Sequence, residues 1–300
     1  MREICRNWNC KNEYATPIEG IPYYSSSGII YANDRRGKKF AVCTIRHERF
    51  DDQNFQFVFS PMWKVIDALP PSVFQGIPGL DLSLRLENYF RVNMTPVFIS
   101  ERTPGEGRED LWQLLENVGL DYYDRFEWLL RSNMRCGTDN LTVERERETS
   151  NTIRYEKNNI IQIKDAQPCD WIVIEDLEKA ADSNKQFRAN LIEVLRSGAN
   201  IRLENEERVI SNDEHSAMLR LLLIQEKLDE KYLKERQAEG IANAKNENRY
   251  RGRKKQEIDP VLLAEVAAAF KAKKLTVEDA MQRLKINSRS TFFRRLKEVK

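Results

Sequence analysis

No run of 18 apolar residues occurs anywhere in the 300-residue chain, which excludes a membrane-spanning helix. The start, Met1-Arg2-Glu3-Ile4-Cys5, lacks the apolar stretch of a secretory signal. Histidine is scarce, with only His47 and His215. The five cysteines, at 5, 10, 43, 136 and 169, are odd in number and scattered, a pattern of reduced thiols in a cytoplasm. Cys5 and Cys10 have no second ligand pair, so neither a zinc site nor any other cofactor is expected. Internal repeats and low-complexity tracts are absent too. A hydrophobic content of 41% is enough for the cores of two or three domains.

Charge is present in quantity and unevenly placed. Residues 245–300 hold 16 Lys/Arg against 7 Asp/Glu, a surplus of +9, whereas the first 244 hold 33 against 40. The net charge of +2 therefore hides a basic C-terminal module on a mildly acidic body. Such a module has the electrostatic footprint of a DNA reader, because phosphate attraction supplies most non-specific binding energy.

Three helices are predicted inside that module. Asp259 reads as an N-cap with Pro260 in the first turn, and Leu262, Leu263, Val266 and Phe270 follow at helical spacing. Thr276 and Asp279 resemble a capping box, ahead of a buried stripe of Val277, Ala280, Met281 and Leu284. Lys285-Ile286-Asn287 is a tight turn before a third helix over 288–297, in which Phe292 and Leu296 close the small core. The pattern is that of a helix-turn-helix, whose third helix puts its N-terminal turn into the major groove. Ser288, Arg289, Ser290 and Thr291 occupy that turn, and Arg289 is the candidate for reading a guanine edge. Ser288 serves equally well as an N-cap. Arg294, Arg295 and Lys297 are candidate phosphate contacts. Upstream, Arg251-Gly252-Arg253-Lys254-Lys255 has too few apolar residues to fold alone and suits a cationic arm in a narrow minor groove, a charged linker being the alternative.

Trp171-Ile172-Val173-Ile174 reads as a buried strand, followed by a helix with Phe187, Leu191, Val194 and Leu195 that ends at Gly198. Asn200-Ile201-Arg202-Leu203 returns as a strand. From Asn212 to Asn246 runs a long helix pattern, with Leu221, Ile224, Leu228 and Tyr232 spaced 3, 4 and 4 apart. In that order, strand, helix, long helix, arm and helix-turn-helix resemble the serine recombinases of the resolvase/invertase family, over residues 163–300. The resemblance implies that the long helix pairs two subunits, through Leu221, Ile224, Leu228 and Tyr232, and delivers the DNA arm.

Chemistry departs from that likeness. The family needs a serine nucleophile on its first strand and several arginines around the scissile phosphate. Tyr31-Ala32-Asn33-Asp34-Arg35 is the nearest echo of the nucleophile segment, and it offers no serine at the required place. The family's Asp-Arg-x-x-Arg segment falls on Glu178, Lys179 and Asp182, where a carboxylate would repel phosphate and lysine lacks the guanidinium fork. Ser183 is expected to cap a helix. No catalytic residue is assigned, and the chain is read as more inert than enzymatic.

The first 150 residues are read as β-rich. Gly28–Tyr31 and Phe40–Ile45 flank a turn over Asn33–Gly37, Phe55–Phe59 is a further strand, and Pro96–Ile99 a short one. Two short helices follow, around Leu111–Val118 and Phe126–Leu130. The corner Phe74-Gln75-Gly76-Ile77-Pro78-Gly79, the helix start Pro104–Arg108 and the helix Asp124–Leu130 resemble the N-terminal subdomain of HipA-type toxin kinases, which implies a protein-contact role. No kinase body follows. Residues 144–157 and 245–259 read as linkers.

The expected architecture is mixed α/β: a β-rich domain over 1–150, a partial resolvase-like core and long dimerisation helix over 158–246, a basic arm over 247–258, and a three-helix DNA-binding domain over 259–300. The expected function is sequence-specific DNA binding by a homodimer derived from a serine recombinase, without strand transfer, as a regulator or mobile-element factor. Duplex DNA is the expected partner and the cytoplasmic nucleoid the expected location, with a protein partner for the N-terminal domain. An active recombinase and an antitoxin-like component are the alternatives.

Overall fold

The apolar runs of the first half build a meander, seen in a computed structural model that describes residues 17–156, 160–175, 183–247 and 258–298. Strands β1 (Tyr24–Asn33), β2 (Lys39–Arg49), β3 (Phe55–Pro61), β4 (Tyr89–Val92) and β5 (Leu141–Arg145) form an antiparallel sheet in the order β4-β3-β2-β1-β5. The β1–β2 turn closes where Asp34 accepts the backbone N–H groups of Arg36 and Lys38, both at 2.8 Å, with Gly37 at φ +78°. Short helices α1 (Trp63–Ile66), α2 (Val97–Ser100), α3 (Leu111–Glu116) and α4 (Arg125–Ser132) occupy the connections.

Two expectations are corrected here. Pro96–Ile99 is a helical turn and not a strand: Pro96 is extended at the N-cap, and Phe98 and Ile99 are buried. Residues 144–156 are not linker throughout: Glu144 and Arg145 end β5, and Thr152–Arg154 form a further strand. Leu141 and Val143 lie in the core, and β5 pairs with β1 from Gly28↔Arg145 to Ala32↔Leu141. The period-two apolar signal is short and ends in a charge-rich stretch.

A second sheet, β6-β7-β8-β9, comprises β6 (Thr152–Arg154), β7 (Trp171–Ile174), β8 (Asn200–Leu203) and β9 (Arg208–Val209). The first three strands are parallel, and β9 is antiparallel. Helix α5 (Ile160–Lys164) precedes β7, and α6 (Asn184–Arg196) provides the β7–β8 crossover. Ser183 caps α6 by accepting from the Gln186 N–H at 3.3 Å, as expected. Gly198, at φ +72°, lets the chain turn from α6 into β8. Buried Asp170 fixes the entry to β7, accepting from the backbone N–H groups of Asn151 and Gln167 and from Arg147.

The two sheets share a core. Phe40 of β2, with Val65 and Ala68 in and after α1, packs among Ile172, Ile174, Leu191, Val194, Leu195 and Leu219. Ion pairs and hydrogen bonds line the same seam. Arg196 donates to the Lys39 carbonyl at 2.7 Å, and Lys64 to Asn200 Oδ1 at 3.3 Å. Burial brings the Lys64 ammonium down to about 8.

Helix α7 (Asn212–Asn246) matches its predicted span. Its N-terminal half lays His215, Leu219, Met218, Leu222 and Leu223 onto the shared core. His215 Nε2 donates to the Leu195 carbonyl at 2.7 Å, and burial lowers its pKa to about 4. Lys38 and Arg36 of the β1–β2 turn reach Glu226, and Arg188 of α6 reaches Asp229. By contacts the chain divides into Met1–Glu230 and Lys231–Lys300. None of the described helices is long and apolar enough to cross a membrane.

Candidate nucleic-acid interface

Residues 258–298 fold as α8 (Pro260–Lys271), α9 (Val277–Arg283) and α10 (Arg289–Glu298). The predicted caps form. Asp259 accepts from the Val261 N–H at 3.0 Å with Pro260 in the first turn, and Thr276 accepts from the Asp279 N–H at 3.2 Å. The Thr276 hydroxyl in turn donates to the Asp279 carboxylate at 2.6 Å. Lys273 (φ +56°) and Lys285 (φ +53°) take the left-handed conformation that ends α8 and α9.

Leu263, Val266, Ala280, Leu284, Ile286 and Phe292 make the core of this unit, with Phe270, Val277, Met281 and Leu296 against it. Phe292 is fully buried, and its ring meets Phe270 edge-on at 5.4 Å. Leu262 turns outward instead, and Ala267 takes a buried place on α8. Ile286, in the tight turn between α9 and α10, is buried and closes that corner. With this core filled from one side, the opposite face of α10 is left to solvent.

That solvent face carries Ser288, Arg289, Ser290, Phe293, Arg294 and Lys297. Ser288 stands just ahead of α10, its carbonyl accepting from the Phe292 N–H at 3.0 Å and its hydroxyl 2.8 Å from that of Ser290. Ser288 therefore stands at the N-cap position of α10. Arg289 reaches Glu278 at 3.3 Å, but both side chains are more than two-thirds exposed. An exposed pair of this kind is worth little, so it does not tie Arg289 down. Thr291 and Arg295 are only partly exposed and stand at the margin of the face. The three cations Arg289, Arg294 and Lys297 share the exposed face of α10, the arrangement that attracts phosphate. The arm residues Arg251, Gly252, Arg253, Lys254 and Lys255 lie outside the described residues.

The four residues expected to pair subunits share one stripe of α7. Leu221 (66% exposed), Ile224 (49%), Leu228 (44%) and Tyr232 (56%) all face solvent, away from the buried His215 and Leu219. Leu233 and Ile241 extend the apolar exposure further along the helix. Sixteen residues from Lys231 to Asn246 have almost no buried side chain, which a lone helix in water sustains poorly.

Glu178, Lys179 and Asp182 lie outside the described residues. Tyr31, Ala32 and Asn33 belong to β1, in the antiparallel sheet, and Asp34 and Arg35 to the hairpin turn after it. That segment is therefore not a strand of the β6–β9 sheet. Strands β5 and β6 were not predicted from the sequence, nor was the exposure of Phe293, four residues after Arg289.

A family model described as the Resolvase, N terminal domain matches residues 133–250, about two-fifths of the chain. The match takes in β5, the whole β6–β9 sheet and α7, and so starts earlier than the resemblance read from Ile163 onward. This part of the chain is resolvase-like. No curated protein matches the chain, and the HipA-type likeness of residues 28–145 gains no support.

Proposed function

We propose that the chain is a sequence-specific duplex-DNA-binding protein derived from a serine recombinase, acting as a homodimer and without strand-transfer activity. The observation that carries this reading is the exposed cationic face of α10 on a folded, capped three-helix unit. Arg289 with Ser288, Ser290 and Thr291 reads base edges, while Arg294, Arg295, Lys297 and the arm Arg251–Lys255 hold phosphates. The α7 stripe of Leu221, Ile224, Leu228 and Tyr232 buries itself against a second copy, so that two units meet an inverted repeat. Without strand transfer, such a protein serves as a regulator or a mobile-element factor of the nucleoid.

The second reading, an active recombinase, is favoured by the resolvase match itself. Against it stand the letters of the sequence: Lys179 and Asp182 replace the two arginines of the Asp-Arg-x-x-Arg segment, and no serine follows the Tyr31 echo at the required place. Incubation with a supercoiled plasmid carrying the selected binding site separates the two. Retained but uncut plasmid is the expected outcome. Recombinant circles, or protein covalently joined to cleaved DNA through a phosphoserine, would establish the recombinase instead.

A further inference from the structure

The structure assigns Phe293 a reading role that the charges around it cannot perform: we propose that its ring contacts the 5-methyl group of a thymine in the major groove. This rests on the DNA-binding reading above and deepens it. An exposed phenylalanine is unremarkable on most surfaces, but Phe293 stands in the middle of a polar, cationic face. It follows Arg289 by four residues and Ser290 by three, so all three project from one side of α10. Whatever groove surface receives Arg289 and Ser290 therefore receives this ring as well.

The ring is also held. Its centroid lies 5.4 Å from that of Phe292 and 6.4 Å from that of Phe270, at interplanar angles of 63° and 70°. Phe292 is fully buried, so Phe293 is braced on the core while 45% of it remains exposed. A braced aromatic surface loses little side-chain freedom on contact. Among the four bases, only thymine offers hydrocarbon in the major groove, so an apolar ring there discriminates thymine from cytosine and from purines. Arg294 and Lys297 supply attraction without sequence choice, Arg289 reads by hydrogen bonds, and the ring adds an apolar contact that selects thymine.

The test uses the full-length protein. A bound duplex is enriched from a random pool, and each thymine in it is then replaced singly by deoxyuridine. That exchange removes one methyl group and leaves every hydrogen-bonding edge and phosphate in place. At one thymine per half-site the affinity is expected to fall about fourfold, the worth of one buried methyl. In Phe293→Ala the same replacement is expected to cost nothing, while Phe293→Leu keeps part of the penalty. A uracil penalty that persists undiminished in Phe293→Ala, or enriched sites at which no thymine is sensitive, overturns the assignment and leaves the DNA reading intact. A pool from which nothing is enriched overturns both. If Phe293→Ala destabilises the three-helix unit, Phe293→Leu carries the comparison, and a uracil scan of the unmodified protein with no sensitive thymine still overturns the assignment.

Discussion

Replacing Phe292 by alanine tests how the DNA-reading unit is held together. The side chain is fully buried in a core of six residues, meeting Phe270 and Phe293 edge-on. Removal of a buried phenylalanine ring costs about 3–5 kcal/mol. The core of a unit of some forty residues rarely supplies more than about 3–5 kcal/mol, so the loss is comparable with everything that keeps it folded. The readout is clean because the five tryptophans, at 8, 63, 112, 128 and 171, all precede residue 231. Phe292→Ala should leave the tryptophan emission and its thermal midpoint unchanged. Far-UV ellipticity should fall by the contribution of α8, α9 and α10, of 12, 7 and 10 residues. DNA affinity should drop on the order of tenfold or more, in proportion to the folded fraction left. A variant with full ellipticity and unaltered DNA affinity would refute the packing of the unit around Phe292.

Leu221→Glu combined with Leu228→Glu should abolish the dimer, since each leucine buried at an interface contributes about 1.5–3 kcal/mol; sedimentation equilibrium at micromolar concentration checks it, and an unmodified protein that is already monomeric there would contradict the α7 interface. Arg289→Ala should relax sequence choice at one position by about 1–3 kcal/mol, whereas Lys254→Ala should weaken binding to all duplexes and lower the salt slope by about one phosphate contact; equal effects of the two on the specificity ratio would contradict the division of labour. Burial holds His215 and His47 at about 4, below the value near 6.5 expected once they are unfolded. The unfolded chain then binds more protons between those values, so the histidines' contribution to stability should be flat above pH 7 and fall as pH drops from about 6.5 toward 4. His215→Gln should flatten part of that acid limb in urea unfolding between pH 4 and 7.5, and an unchanged slope would show that His215 is not a buried neutral group.

Elements whose periodicity is long and whose caps are local were legible in the sequence. Helix α7 spans the predicted residues, and Asp259, Pro260, Thr276 and Ser183 sit where their cap chemistry put them. Short apolar runs were not: Pro96–Ile99 fits a strand or a turn of helix equally, and only the burial of Phe98 and Ile99 decides. Strand β5 was hidden because its apolar residues are just Leu141 and Val143, next to a dense charge run. The shared core of the two sheets was beyond reach, since Phe40, Val65 and Ala68 meet Ile172 and Leu195 across more than 100 residues. On α10, sequence alone identified the cations but not their orientation. Three-dimensional packing adds that Thr291 and Arg295 turn partly inward and that Phe293 turns out.

Salt-titrated retention of duplex DNA by the full-length protein is the most direct test of the central claim. Retention at low ionic strength is expected, with log affinity falling linearly in log salt at a slope near 0.9 per phosphate contacted, and with Arg294→Ala and Lys297→Ala each reducing that slope. Absence of retention at about 50 mM salt, a regime in which phosphate contacts are strong, would contradict the account.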